Sequence, residues 1–156
     1  DDSRALKEML DLATLAMELG QHKVAVDLYD KLLTLQKKKL GFRNPETTRT
    51  HDAIARLLAT SPMDEVRDGK RAIQLATIAC GLTTYKDSGF LDTLAAAYAE
   101  TGDFENSVKW SQREIDLLGE DVDEAKRQEY VAALNRYKNK QPTRIEAGEA
   151  KKQADE

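Results

Sequence analysis

The sequence predicts an all-α protein built from consecutive helical hairpins. Apolar residues recur at intervals of three and four along most of the 156 residues, which is the spacing of one face of a helix. No alternating pattern typical of a β-strand extends beyond a few residues. The eight glycines and three prolines fall mostly near the ends of the predicted helices. A chain of this length suits one compact domain or a short array of repeats.

The composition excludes several classes of protein. Because 24 Lys and Arg residues stand against 28 Asp and Glu residues, the net charge of -4 argues against a nucleic-acid binder. One cysteine cannot form an internal disulfide framework or a multi-cysteine metal site. No apolar run approaches the length of a membrane-spanning helix. The opening Asp1-Asp2-Ser3 suggests an artificial boundary or a processed terminus, and the sequence slightly favours the cytoplasm without identifying a compartment.

The first predicted hairpin covers residues 3–40. Its first helix, residues 3–19, carries an apolar face of Leu6, Met9, Leu10, Ala13, Ala16 and Met17. Gly20 ends this helix, since glycine is the usual residue just past a helix C-terminus. The second helix, residues 22–40, repeats the pattern with Val24, Ala25, Leu28, Leu32 and Leu35. Two helices joined by so few residues form a helical hairpin.

The second predicted hairpin covers residues 45–82. Its first helix begins at Pro45, because proline suits the first turn of a helix and disfavours a helical residue before it. This helix ends near residue 59, before a helix-breaking segment at residues 61–65 that contains Pro62. The other helix is predicted at residues 66–82, and its apolar residues are Ala72, Ile73, Ala76, Ala79 and Cys80.

A third hairpin, residues 88–118, and a capping helix complete the predicted array. Asp87 or Ser88 can cap a helix over residues 89–100, and Asp103 can cap one over residues 104–118. The last helix, residues 121–139, is expected to bury Ala125, Val131, Leu134 and Tyr137. Residues 1–140 are therefore predicted to form a single domain. Residues 141–156 are predicted to be a polar, flexible tail, because Ile145 alone offers much apolar surface there.

The first and third hairpins match each other residue for residue in spacing. The matching positions are Leu12, Ala13, Ala16, Gly20, Ala25 and Tyr29 in the first and Leu94, Ala95, Tyr98, Gly102, Ser107 and Ser111 in the third. The middle copy has Ile54, Ala55, Leu58, Ala72, Ala76 and Ala79, with about five additional residues between its helices. Small residues that face each other across a hairpin allow its two backbones to approach closely, while larger residues fill the surrounding gaps.

This pattern resembles the tetratricopeptide repeat (TPR), most strongly in residues 89–104. Residues 40–47 resemble the linker of the longer repeats of kinesin light chains and many bacterial proteins. Residues 67–72, together with residues 91–103 and Tyr137-Lys138, are similar to repeat segments that end large bacterial proteins, including serine/threonine kinases. The resemblance implies a right-handed solenoid of about three hairpins with a capping helix. The chain departs from the family pattern at Ser111 and Glu114, where an aromatic residue and alanine are usual, and in lacking the terminal prolines.

By the same resemblance, the first helices of the hairpins line a concave groove. The family's groove positions correspond here to Lys7, Asp11, Thr14, Glu18, Arg49, Asp52, Arg56, Asp92, Ala96 and Glu100. Mixed charges on a concave face suit an extended peptide held by salt bridges, although solvated helix faces also carry such charges. The chaperone-binding members of the family hold a C-terminal carboxylate with Lys, Asn and Arg. The equivalent positions here are Leu10, Thr14, Ala53, Gly89 and Thr93, which excludes that mode.

The sequence contains no pattern of an enzyme, a cofactor site or a metal site. It has no glycine-rich phosphate loop after a strand, no nucleophile elbow and no metal-ligand helix motif. His22 and His51 each lack a suitable second ligand one helical turn away, and Cys80 lies on an apolar face without an activating group. The sequence therefore predicts a protein that is not an enzyme and that binds neither a cofactor nor a metal.

We therefore expect a non-catalytic module that binds a protein or peptide. Two alternatives remain: a regulatory or sensing appendage of a larger bacterial enzyme such as a serine/threonine kinase, and a self-assembly scaffold. Residues 89–119 contain two basic and six acidic residues, so the negative charge is concentrated in the third hairpin. A partner with a basic segment would complement that charge, whereas a nucleic-acid partner and membrane insertion are not expected.

Overall fold

Seven helices form the described part of the chain, which in the computed structural model comprises residues 2–120 and 122–145. The helices are α1 (Asp2–Glu18), α2 (His22–Lys39), α3 (Pro45–Thr60), α4 (Gly69–Leu82), α5 (Ser88–Glu100), α6 (Phe104–Asp116) and α7 (Glu124–Lys138). These residue ranges contain no β-strand, and the predicted all-α class is confirmed. No described helix is both long enough and apolar enough to cross a membrane.

Side-chain caps determine where several helices begin. The Asn44 carboxamide accepts the Glu46 N–H at 2.8 Å, which satisfies one of the free amides at the start of α3. Asp87 and Asp103 cap α5 and α6 in the same way, through the N–H groups of Phe90 and Asn106. The predictions based on capping residues therefore gave helix starts within one residue of those observed.

Helix α4 begins three residues later than predicted. Residues 63–67 form turns instead, in which Val66 N–H donates to the Met63 carbonyl and Arg67 N–H to that of Asp64. The Asp68 carboxylate then accepts the Arg71 N–H at 3.0 Å and starts the helix at Gly69. The apolar pattern alone had missed this cap.

The helices pack as successive pairs, α1 with α2, α3 with α4, and α5 with α6. Neighbouring pairs are joined where α2 packs on α3, and where α5 packs on both α3 and α4. Helix α7 packs on α6. Helix α1 does not lie along α3 in the way that α3 lies along α5, so an opening remains between α1 and α3.

Small residues are buried wherever the two helices of a pair come closest. The fully buried set comprises Ala13 and Ala25 in the first pair, Ala55, Ala72 and Ala76 in the second, and Ala95 and Ser107 in the third. Ser107 also donates its hydroxyl hydrogen to the Ala95 carbonyl at 2.8 Å, which joins α6 directly to the α5 backbone. This arrangement agrees with the close packing that the spacing of small residues predicts.

Four residues predicted to face inward are exposed, namely Leu10, Leu12, Val24 and Ala125. Leu12 and Leu94 are equivalent in the sequence comparison, yet Leu12 is 56% exposed and Leu94 only 1%. Leu94 packs against residues of the second pair, such as Ala55 and Ala76, whereas no described helix covers the corresponding side of α1. Ala125, predicted to be buried, is also exposed, because Leu134 and Tyr137 provide the buried side chains of α7.

The chain turns back after α7 instead of leaving the helical domain. The Tyr137 and Thr143 hydroxyls lie 2.9 Å apart, and Ile145 N–H donates to the Thr60 carbonyl at 2.9 Å. Residues 143–145 therefore contact the helical domain, where the sequence predicted a flexible tail. The rest of the predicted tail, residues 146–156, lies outside the described residues.

Candidate partner-binding groove

The ten predicted groove residues lie on α1, α3 and α5, and they do not form one continuous cluster. Lys7 on α1 and Arg49 on α3 border an open cavity, which we call the α1–α3 cleft. Those further along α3 and on α5 surround a set of partly or fully buried carboxyl groups, which we call the acidic floor (Asp52, Asp92 and Glu114). Glu100 belongs to a third group at the ends of α3 and α5.

The α1–α3 cleft has a volume of about 760 Å³, large enough for one or two side chains of a partner. Its apolar lining consists of Leu6, Leu10, Tyr29, Leu40 and Ala53. The charged residues along it are Asp2, Lys7, Lys39, Glu46 and Arg49. Lys39 is paired with Asp2 at 2.6 Å, whereas Lys7 and Arg49 form no ion pair with any described residue.

One residue of the cleft lining carries an unpaired polar atom. Gln36 lines the cavity from α2, and its buried Oε1 accepts no hydrogen bond from the described residues. An unpaired buried acceptor costs free energy. Sequence analysis missed Gln36 because glutamine at an inward position of a second helix has no distinctive spacing.

Three further predicted residues lie on α1 outside the lining of the cleft. The Thr14 hydroxyl donates to the Leu10 carbonyl at 2.9 Å and lies 3.4 Å from the Tyr29 hydroxyl, so its hydrogen-bonding capacity is already used. Asp11 and Glu18 are exposed. Burial raises the pKa of Tyr29, and the negative charge of Glu18 raises it further. Thr14 is therefore engaged in contacts within the first helix pair, whereas Asp11 and Glu18 are accessible to a partner.

The acidic floor lies where α3 faces α5. Arg56 and Asp92 form an ion pair across the two helices at 3.7 Å, with each side chain about one-third exposed. Burial raises the pKa of Asp52 to about 6, while Arg56 and a hydrogen bond from Thr93 favour the charged form. Burial likewise raises the Asp92 pKa, against the opposing charges of Arg56, Lys126 and Arg136. For both Asp52 and Asp92, the nearby positive charges therefore offset only part of the effect of burial, and the pKa remains raised.

Glu114 lies behind Asp92 and is completely buried. Neither carboxyl oxygen of Glu114 has a hydrogen-bond partner among the described residues. Burial, and secondarily the negative charge of Asp92, raise the pKa of Glu114 to about 8, so most of it is protonated at pH 7. The sequence identified Glu114 as a departure from the repeat pattern, but its spacing on α6 gave no sign of its proximity to Asp92.

Glu100, at the end of α5, interacts with two arginine side chains from other parts of the chain. Its Oε1 accepts a hydrogen bond from Arg67 Nε at 3.0 Å, and its Oε2 lies 2.7 Å from Arg144 Nη2. Arg67 comes from the connection between α3 and α4, and Arg144 from the segment after α7. Sequence reasoning placed Glu100 in the groove but missed both arginines, because residues so distant in the chain show no mutual spacing.

Ala96 is the predicted groove residue that the structure does not place on a surface. Its side chain is buried in a core cluster with residues such as Leu57 and Leu58. The close packing of α5 on α3 covers this position, so Ala96 cannot contact a partner. The accessible residues of the predicted groove are therefore divided among the exposed side of α1, the α1–α3 cleft, the acidic floor and the Glu100 site.

The structure shows no geometry suited to metal binding or thiol chemistry in the described ranges. No three His, Cys, Asp or Glu side chains there are arranged to hold a metal ion. His22 and His51 are buried, and their Nδ1 atoms lie 2.8 Å from the Ser61 hydroxyl and the Thr47 carbonyl. Burial raises the pKa of Cys80 to about 12, and its thiol donates to the Phe90 carbonyl. A thiol with so high a pKa is a poor nucleophile.

Comparison with known proteins adds no family assignment. The sequence matches no protein-family profile, and no curated protein sequence matches it.

Proposed function

We propose that the chain is a non-catalytic protein-interaction module, a TPR-like right-handed solenoid of three hairpins whose concave side binds a peptide or protein. The observation that carries this proposal is the α1–α3 cleft. It combines an apolar lining with two cations, Lys7 and Arg49, that have no ion-pair partner among the described residues. An extended partner could place an apolar side chain in this cavity and a carboxylate beside the cations.

The acidic floor gives the proposed groove a second, oppositely charged half. Asp52 and Asp92 face it with Arg56 as the nearest cation, and Glu114 lies behind them. A partner cation near Asp92 would lower the pKa of these carboxyl groups and offset their negative charge. The partner proposed for this groove therefore carries an acidic or apolar residue toward α1 and a basic residue toward α5.

Charge reversal at Lys7 and Arg49 tests the proposed groove. We expect the double variant Lys7→Glu/Arg49→Glu to lose the proteins that the immobilised native chain captures from a cell lysate, as identified by mass spectrometry. Arg49 is a better choice than Arg56, because a carboxylate at position 56 would lie beside Asp92 and disturb the fold. Circular dichroism should show unchanged helicity and melting temperature, since both substituted side chains are exposed.

Arg43→Glu is the matched control, because Arg43 is exposed and does not line the cleft. It should retain the captured proteins. Equal capture by all three chains would show that the α1–α3 cleft is not the binding surface.

A specific observation favours a second candidate function, self-assembly. The outer side of α1 and the start of α2 expose four large apolar side chains, namely Leu12, Leu15, Leu19 and Val24. The spacing of Leu12, Leu15 and Leu19 places them in a stripe along one side of α1, with Leu19 directly after its last residue. Contiguous exposed apolar surface of this kind is typical of association sites. A second copy of the chain could cover this stripe with its own.

A further inference from the structure

A segment of the chain itself lies across the ends of three helices. Thr143 contacts Tyr137 in the last turn of α7, Arg144 contacts Glu100 at the end of α5, and Ile145 contacts Thr60 at the end of α3. Three consecutive residues thus contact the C-terminal ends of α7, α5 and α3. Each contact is a hydrogen bond or ion pair of 2.9 Å or less, so the segment has a defined position on the domain.

The two arginines on Glu100 differ in how firmly they are held. Arg67 also donates to the Ser61 carbonyl at 2.9 Å and pairs with Asp64, and its side chain is 15% exposed. The side chain of Arg144 is 34% exposed and pairs with Glu100 alone among the described acidic residues. Arg67 is therefore part of the framework, whereas Arg144 occupies a position that a guanidinium group arriving from solvent could also reach.

The Thr60 carbonyl recognises the backbone of the bound segment. Carbonyl groups in the last turn of a helix lack a partner within the helix, and the Ile145 N–H provides one to Thr60 at 2.9 Å. Glu100 Oε2 is also buried, and it lies 2.7 Å from Arg144 Nη2 as an ion pair without hydrogen-bond geometry. If the segment departed without a replacement, the Thr60 carbonyl would lose its hydrogen bond and Glu100 would lose one of its two cationic partners.

We propose that Glu100 and the Thr60 carbonyl form a guanidinium subsite of the groove, filled in the free chain by Arg144 and Ile145, and that an arginine-containing extended segment of the partner replaces them. This inference rests on the proposed binding function and specifies the basic residue of the partner. The residue after that arginine must carry an N–H, which excludes proline there. Residues 143–145 are tethered to the domain and therefore compete with the partner at an effective concentration in the millimolar range. A change that releases these residues from Glu100 and Thr60 should therefore strengthen binding of the partner.

The competition can be measured in the 156-residue chain with a defined probe. The probe is the peptide acetyl-Gln-Pro-Thr-Arg-Ile-amide, which has the sequence of residues 141–145. NMR titration follows the Thr60 and Glu100 backbone signals in the native chain, in Arg144→Gln and in Lys138→Gln. Lys138 is the matched control, since it is exposed at the end of α7 and has no ion pair with a described residue.

We expect the peptide to bind Arg144→Gln at least about tenfold more tightly than the native chain or Lys138→Gln. The variant Ile145→Pro, which removes the backbone donor, should behave like Arg144→Gln. A peptide with glutamine in place of arginine should not shift the two signals. Equal affinity for all chains, or binding to Arg144→Gln without shifts at Thr60 and Glu100, would overturn the proposal.

This outcome is separable from that of the cleft experiment. Lys7 and Arg49 do not contact Glu100 or Thr60, so their reversal should leave peptide binding to Arg144→Gln unchanged. The two proposals can therefore fail independently. Lysate capture tests the α1–α3 cleft, and peptide binding tests the guanidinium subsite.

Discussion

At the scale of single residues, Glu114 is the most unusual group in the described part of the chain. It is a fully buried carboxyl group whose two oxygens accept no hydrogen bond from the described residues. Its neighbours Ser111 and Trp110 also carry buried polar atoms without described partners. A buried carboxyl group without compensation remains protonated, since ionisation would place an unpaired charge in a medium of low polarity.

The raised pKa of Glu114 predicts a loss of stability as the pH rises. An unfolded glutamate ionises near its ordinary pKa of 4.5, whereas the folded chain holds the proton up to about pH 8. The stabilisation is therefore complete below pH 4.5 and disappears as the pH rises through 8. We expect Glu114→Gln to exceed the native chain in unfolding free energy at pH 9 by about 1–3 kcal/mol, measured by urea denaturation.

Glu105→Gln provides the comparison, because Glu105 is exposed on the same helix. It should preserve the pH dependence of the native chain. Asp52 has a raised pKa of about 6 and leaves a smaller decline at lower pH in every variant. A decline between pH 6 and 8 that persists undiminished in Glu114→Gln would contradict the assignment.

At the scale of secondary-structure elements, the contact between α4 and α5 depends on Gly69. A Cβ atom at this position would lie 2.7 Å from the Thr101 methyl carbon and 3.1 Å from Glu100 Cγ. The Thr101 hydroxyl is bonded to the Tyr98 carbonyl at 2.8 Å, so its side chain cannot rotate away without losing that bond. Glycine thus allows the start of α4 to approach the end of α5, next to the Glu100 subsite.

Two glycine-to-alanine substitutions in α4 should have opposite effects. Gly69→Ala should lower the unfolding free energy by about 1–3 kcal/mol, because the added methyl group overlaps Thr101 and Glu100. Gly81→Ala should raise it by about 0.5–1 kcal/mol, because nothing lies within 4 Å and alanine favours the helix. Thermal or chemical unfolding measures both changes. Stabilisation by both substitutions would indicate that α4 and α5 are further apart than described.

The helices themselves were largely predictable from local sequence. Apolar spacing, Pro45 and the caps at Asp87 and Asp103 act within a few residues, and the starts they predict agree with the structure to within one residue. The start of α4 was missed because residues 63–67 continue an apolar and charged pattern while forming turns. The apolar pattern predicts a start of α4 at residue 66, whereas the Asp68 cap predicts a start at Gly69. The folded chain shows that the cap determines the boundary.

At the scale of the whole molecule, the site was less predictable than the fold. The list of groove residues assigned helices correctly but gave no indication of which residues would be buried or paired. Ala96 is covered by α3, and Glu100 is engaged by Arg67 and Arg144. These outcomes depend on contacts between distant parts of the chain, which local spacing does not encode.

The exposed stripe on α1 leads to a prediction about assembly. If two chains associate through Leu12, Leu15, Leu19 and Val24, then Leu15→Lys/Leu19→Lys should shift the protein to monomer at concentrations where the native chain dimerises. Sedimentation equilibrium measures the change. Leu40→Lys/Phe42→Lys is the control, because these side chains are also exposed but lie at the other end of α2. A native chain that remains monomeric at high concentration would exclude this role.

The additional residues between α3 and α4 have a consequence for related sequences. They supply Arg67, which fixes a carboxylate 33 residues further along the chain. A homologue without these residues would lose that arginine, and an acidic residue at position 100 would then have less reason to be retained. The length of this connection and the acidic character of position 100 should accordingly covary during evolution.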